Sequence, residues 1–111
     1  MTARALLFAA LLCTLAAPAA VAEELTTLRL VARDGRFEPT TLQAPAGKRF
    51  KIEIENAGKG PIEFESRDLK QEKVLGPGAK SFVVINALKP GEYRFFDDFH
   101  PDTGQGRIVV K

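Results

Sequence analysis

The stretch FFDDFHP, residues 95–101, holds two adjacent carboxylates and His100, the only histidine in the chain. A carboxylate and an imidazole three positions apart in one turn can converge on a cation. The same two groups can also tie a turn, with Asp97 accepting backbone N–H bonds and His100 at the surface. A protein metal site takes at least three or four ligands, so a metal here needs donors from elsewhere. PIEFES, residues 61–66, offers Glu63 and Glu65 on either side of Phe64. Glu72, beside Lys70 and Lys73, is a further acid. The metal candidates are therefore Asp97, His100 and one of Glu63 and Glu65. Against them stand a solvated strand face for the two glutamates and a loop carboxylate for Glu72.

Other chemistries have less to build on. The chain has no G-x-S-x-G, no P-loop and no dinucleotide fingerprint. A lone histidine without clustered serines makes no nucleophilic triad, and nothing places two carboxylates at glycosidase separation. No catalytic residue is assigned. The aromatic residues, eight Phe and one Tyr, fall mostly in strand phase, which predicts core rather than a base-stacking platform.

These side chains must be positioned by strands. In RFKIEIEN, Phe50, Ile52 and Ile54 share one face while Lys51, Glu53 and Glu55 share the other. That period of two marks a half-buried strand. Thr27 to Ala32 and GEYRFFD alternate as well. KSFVVINAL is apolar nearly throughout, as a strand covered on both faces would be, and GRIVVK is a short closing strand. In GEYRFFD, Tyr93, Phe95 and Asp97 share a phase, so Asp97 should point inward and Asp98 outward. An inward carboxylate needs partners, because an unpaired buried charge is costly. Alternation about a core Phe64 sends Glu63 and Glu65 away from it, unless a bulge near Pro61 re-aims one. SRDLKQEK, residues 66–73, fits a single helical turn. Asp34-Gly35, Gly76-Pro77-Gly78 and Lys89-Pro90-Gly91 supply turn chemistry between the runs. Many short strands with regular turns predict one all-β sandwich or small barrel.

The first residues read differently. Arg4, an apolar run from Ala5 to Ala17 and the small residues Ala20-Val21-Ala22 form the pattern of a secretory signal peptide. The run is short for a bilayer span. Cleavage after Ala22 is expected, giving a signal peptide over 1–22 and one domain over 23–111. It would remove Cys13, the single cysteine, and with it any disulfide or copper thiolate. Without Arg4 the chain keeps fifteen basic residues against fourteen acidic ones, which argues for neither nucleic acid nor an anionic membrane as partner.

The order of features resembles the bacterial cupredoxin-like domain. The resemblance runs from about Leu28 to Val110 through RFEPTTLQAPAGKRFKIEIENAG, EFESRDL and PGAKSFVVINALKPGEYRFFDDFHPDTGQGRIVV. It implies a Greek-key β-sandwich of the cupredoxin type. Copper members carry a Cys at the end of the penultimate strand, a His three residues later and often a Met further on. Those positions fall on Asp97, His100 and near Gln105, and the early His of the family falls on or beside Ile62 and Glu63. The thiolate and one imidazole are thus replaced where carboxylates are available. Soft ligands select Cu(I), whereas carboxylate and imidazole suit Fe²⁺, Fe³⁺, Mn²⁺ or Cu²⁺.

EFES, EKV and LKPGEYRFFDDFHP are similar, more narrowly, to the small periplasmic cupredoxin-like component of bacterial ferrous-iron uptake systems. That resemblance implies a periplasmic protein binding iron or copper and aiding oxidation of Fe²⁺ before permeation. It implies an iron permease complex and a periplasmic iron-binding protein as partners, and no stable membrane insertion once the signal is gone. Glu63, Glu65, Asp97 and His100 are its metal-site candidates. Two other functions stay open: a copper-type electron carrier and a metal-free sandwich used as an interaction module.

Overall fold

Phe37, Phe64 and Phe95 come from three distant stretches and meet in the centre of the molecule. Their ring centroids lie 5.3–6.2 Å apart. All three are at most 2% exposed. Fully burying such a ring contributes roughly 1.5–3 kcal/mol, and aromatic pairs add about 0.5–1.5 kcal/mol. The elements around them follow from this demand. The structure, a computed structural model, describes residues 2–3, 5, 9–17 and 24–111. Arg4 and the expected cleavage site after Ala22 lie outside the described residues. Cys13 is exposed. No helix among the described residues is long and apolar enough to cross a membrane.

Among the described residues nine strands form two sheets: β1 (Thr26–Arg33), β2 (Arg36–Glu38), β3 (Thr41–Ala44), β4 (Phe50–Asn56), β5 (Ile62–Ser66), β6 (Gln71–Leu75), β7 (Lys80–Ile85), β8 (Gly91–Asp97) and β9 (Gln105–Val110). One sheet has the order β2-β1-β4-β7, the other β3-β9-β8-β5-β6. The β1–β4 and β3–β9 pairs are parallel, so both sheets are mixed. The expected all-β sandwich is therefore present. Its core is built from inward residues of both sheets, among them Leu30, Phe50, Ile52, Ile54, Ile62 and Ile108.

Two local expectations differ from the structure. Residues 66–73 make no helical turn: Arg67 to Lys70 form a tight turn closed by Lys70 N–H to the Arg67 carbonyl at 3.3 Å, and Lys70 takes a φ of 54°. The chain reverses there because Phe64 and Leu75 both need the core, and the β5–β6 hairpin delivers both. β7 is not covered on both faces either. It is an edge strand, and Phe82 is 53% exposed while Val83 and Ile85 are buried.

The closest fit in the core is at Gly106, which pairs with Phe95 across β8–β9. A Cβ at residue 106 would collide with the Phe95 ring and stand 3.0 Å from the Thr40 carbonyl oxygen. Gly106→Ala is therefore expected to overpack the core and cost about 2 kcal/mol. A thermal melt should show the midpoint falling by roughly 10 °C. An unchanged midpoint would mean that the Phe95 ring has room to turn aside.

Candidate metal centre

Asp97 ends β8 pointing inward, as its phase with Phe95 requires, and is 1% exposed. Its carboxylate is saturated by protein groups. Oδ1 accepts the backbone N–H of Glu63 and of Phe99, both at 3.0 Å. Oδ2 lies 2.7 Å from His100 Nδ1. The backbone of Asp97 also donates to the Gly104 carbonyl and accepts from the His100 N–H, which closes the turn 97–104. That turn needs Gly104, since a Cβ there would sit 2.7 Å from Cβ of Asp97. It rests on the β1–β2 turn, where Thr103 Oγ1 donates to the Gly35 carbonyl at 2.7 Å. A Cβ on Gly35 would approach the His100 ring to 3.0 Å.

Glu63 and Glu65 lie on the opposite face of the same sheet. β5 is regular, so the alternation about Phe64 holds and no bulge re-aims either side chain. Phe64 pairs with Asp97 and Glu65 with Phe96 across β5–β8, and Asp98 N–H donates to the Glu63 carbonyl at 2.9 Å. This register brings Asp98 beside Glu63. One carboxylate oxygen each from Glu63, Glu65 and Asp98 lies within 4.8 Å of the others. Glu72 joins them from β6, where it pairs with Glu65. The four expected site residues thus form two groups: Asp97 with His100 inside, Glu63 with Glu65 outside. They are linked through the backbone, because the N–H that Asp97 fixes belongs to Glu63. Asp98 and Glu72 complete the outer group. Strand phase already turned Asp98 outward, but its proximity to Glu63 depends on a β5–β8 register that no local pattern announces.

The electrostatics of the outer group are those of crowded acids. Partial burial, then the close approach of Glu72 and the charges of Asp98 and Glu65, raise the Glu63 pKa above the ordinary 4.5. Oxygen donors so arranged suit a hard or borderline cation.

Two mixed β-sheets packed face to face around one core define a β-sandwich. Residues 4–110 match the Cupredoxin-like domain family, and the chain belongs to it. It is 35% identical over 88 residues to an uncharacterised protein of Rickettsia prowazekii (strain Madrid E), covering 79% of this chain and 70% of that one. Among solved structures it is similar to auracyanin A, a blue copper protein of Chloroflexus aurantiacus. The TM-score is 0.67 at 15% identity, over 79% of this chain and 100% of the other. A purple cupredoxin from Nitrosopumilus maritimus aligns with a TM-score of 0.59 at 18% identity, over 76% and 99% of the two chains. These likenesses establish the fold.

The residues present do not fit a thiolate-bound copper. Asp97, where the resemblance puts the thiolate, has both oxygens partnered, and no buried side-chain polar atom among the described residues lacks a partner. Ile62, which with Glu63 the resemblance puts at or beside the early histidine, is 2% exposed and belongs to the core. Gln105, near the methionine position, donates its amide to the Pro101 carbonyl at 2.9 Å.

The raised Glu63 pKa has a consequence for stability. A carboxyl that holds its proton more tightly in the folded state contributes stability that is fullest at low pH. That contribution is lost as pH rises through the folded pKa. Glu63→Gln is expected to stabilise the protein at neutral pH and to flatten the decline above pH 4.5. Denaturant titrations of both proteins from about pH 4 to about pH 8 check this, and parallel pH profiles would refute it.

Proposed function

We propose that the protein is an exported, periplasmic metal-binding accessory of ferrous-iron uptake that holds iron as cargo on the outer face of its five-stranded sheet. The observation that carries this reading is the convergence of Glu63, Glu65 and Asp98 within 4.8 Å, beside Glu72. Membership of the cupredoxin-like family and the EFES and FFDDFHP strings support it. In this reading Glu63 and Glu65 are ligands and Asp98 supplies a third oxygen. Asp97 and His100 serve by anchoring the Glu63 backbone and the turn that follows β8. Anionic oxygen donors favour Fe³⁺ over Fe²⁺, because the higher charge gains more from them. Binding therefore lowers the Fe³⁺/Fe²⁺ potential and assists oxidation by an external acceptor. A permease complex and a periplasmic iron-binding protein are the proposed partners. Cu²⁺ is the competing ion, held by the same oxygens.

Anaerobic calorimetry with Fe²⁺, Mn²⁺ and Cu²⁺ tests the site. A bound ion at a hundredfold excess over its Kd should raise stability by about 2.7 kcal/mol. Glu65→Gln should remove most of the affinity, while His100→Ala should change it little. Loss of binding in His100→Ala with retention in Glu65→Gln would move the ion to Asp97 and His100. An intense thiolate band with Cu²⁺ would instead favour an electron carrier, and silence with every ion an interaction module.

A further inference from the structure

The outer face of the five-stranded sheet changes sign along its strands. Beyond the acids lies Phe96, and beyond Phe96 come Arg67, Arg94 and Arg107. These three arginines line a groove of about 650 Å³, together with Phe96, Pro101 and one acid, Glu92. That volume is in the range of clefts that hold small molecules. Arg94 pairs with Arg107 across β8–β9, so two guanidinium groups start from neighbouring positions of the sheet. Like charges placed side by side oppose folding unless something offsets them. Glu92 offsets only one: it takes Arg107 at 3.0 Å. Among the described residues, neither the Arg67 nor the Arg94 guanidinium is in a salt bridge with a carboxylate.

The backbone beneath these two arginines is clamped. Buried Ser66 donates from Oγ to the Arg94 carbonyl at 2.7 Å and accepts the Leu69 N–H. Asp68 Oδ2 accepts the Arg94 N–H at 2.9 Å. The β5–β6 turn, which carries Arg67, is thereby tied to β8 at Arg94. The Arg67 guanidinium lies 5.3 Å from the Phe96 ring centroid, over its face. Stacking of this kind orients the planar fork and leaves its edge N–H groups free to donate.

From this geometry we infer that the groove binds a small polycarboxylate anion, with Arg67 and Arg94 gripping separate carboxylates and Phe96 and Pro101 covering its carbon skeleton. Guanidinium forks match carboxylate and phosphate alike. The apolar wall favours the carboxylate, because an inorganic polyphosphate has no carbon to lay against it. The site is separate from the carboxylate cluster and stands whether or not that cluster holds iron.

Calorimetry on the metal-free full chain, freed of ions on a chelating resin, tests this with citrate and with pyrophosphate as separate probes at low salt. Citrate should bind saturably with one site and more tightly than pyrophosphate. Arg67→Gln and Arg94→Gln should each weaken citrate by about tenfold or more, the loss expected of a charge-assisted hydrogen bond. Glu65→Gln should not weaken citrate, because it removes a negative charge near the groove, so that failure here is distinguishable from failure of the iron site. Thermal melts should show both arginine variants cooperatively folded, with midpoints within a few degrees of the parent, since both side chains are exposed. Absence of saturable citrate binding, undiminished binding in both arginine variants, or tighter binding of pyrophosphate would each overturn the inference.

Discussion

A buried carboxylate governs this end of the molecule. Removing an ionised aspartate from water is expensive, and the cost is met only when every lone pair finds a donor. Asp97 therefore dictates its surroundings. Its Oδ1 takes two backbone N–H groups and its Oδ2 takes the His100 ring. One N–H belongs to β5 and the other to the turn after β8. A single side chain thus joins a strand, a turn and an imidazole, and each loses its place if the others move. Gly104 and Gly35 are glycines for the same reason, because a Cβ at either would press on Asp97 or His100. Thr103, bonded to the Gly35 carbonyl, carries the constraint across to the other sheet.

The same strands do opposite things on their two faces. Inward, Ile62, Phe64 and Phe95 pack with Leu75 and Phe37, and Asp97 closes the end of that layer. Outward, Glu63, Glu65 and Asp98 crowd at one end while Arg94 and Arg107 sit at the other. The acid-rich end attracts cations and the arginine-rich end attracts anions. The raised pKa of Glu63 reflects its loss of water first and that crowding second. Phe96, with Arg67 over its ring, separates the two ends and keeps the sign change sharp.

Much of this was legible in the residues. Alternation in RFKIEIEN and GEYRFFD gave two strands and their inward faces, and the phase of Asp97 against Asp98 separated a buried acid from an exposed one. The outward direction of Glu63 and Glu65 followed from Phe64 in the same way. What stayed hidden was pairing. Period two says which way a side chain points but not which strand lies beside it. The approach of Asp98 to Glu63, and of Glu72 to Glu65, comes from the β8–β5–β6 order, which depends on how three hydrophobic faces share one core. The edge position of β7 was hidden for the same reason: KSFVVI is apolar enough for a central strand, and only the sheet order leaves Phe82 in water. The parallel β1–β4 and β3–β9 pairs join segments with no turn between them, so no local signal marks them either.

A cation on an exposed sheet face behaves differently from one in a buried pocket. A thiolate-bound copper in an enclosed site gains from low dielectric and rigid ligands, which suits electron transfer without ligand exchange. Here the enclosed position holds Asp97, Ile62 and a direct carboxylate–imidazole contact. The donors that do converge stand half-exposed or fully exposed, where water can replace them one at a time. Stepwise replacement by water lowers the barrier to release of a cation held by such donors. The fold is shared with blue copper proteins. On that scaffold this chain sets Asp97 inward and Glu63, Glu65 and Asp98 outward.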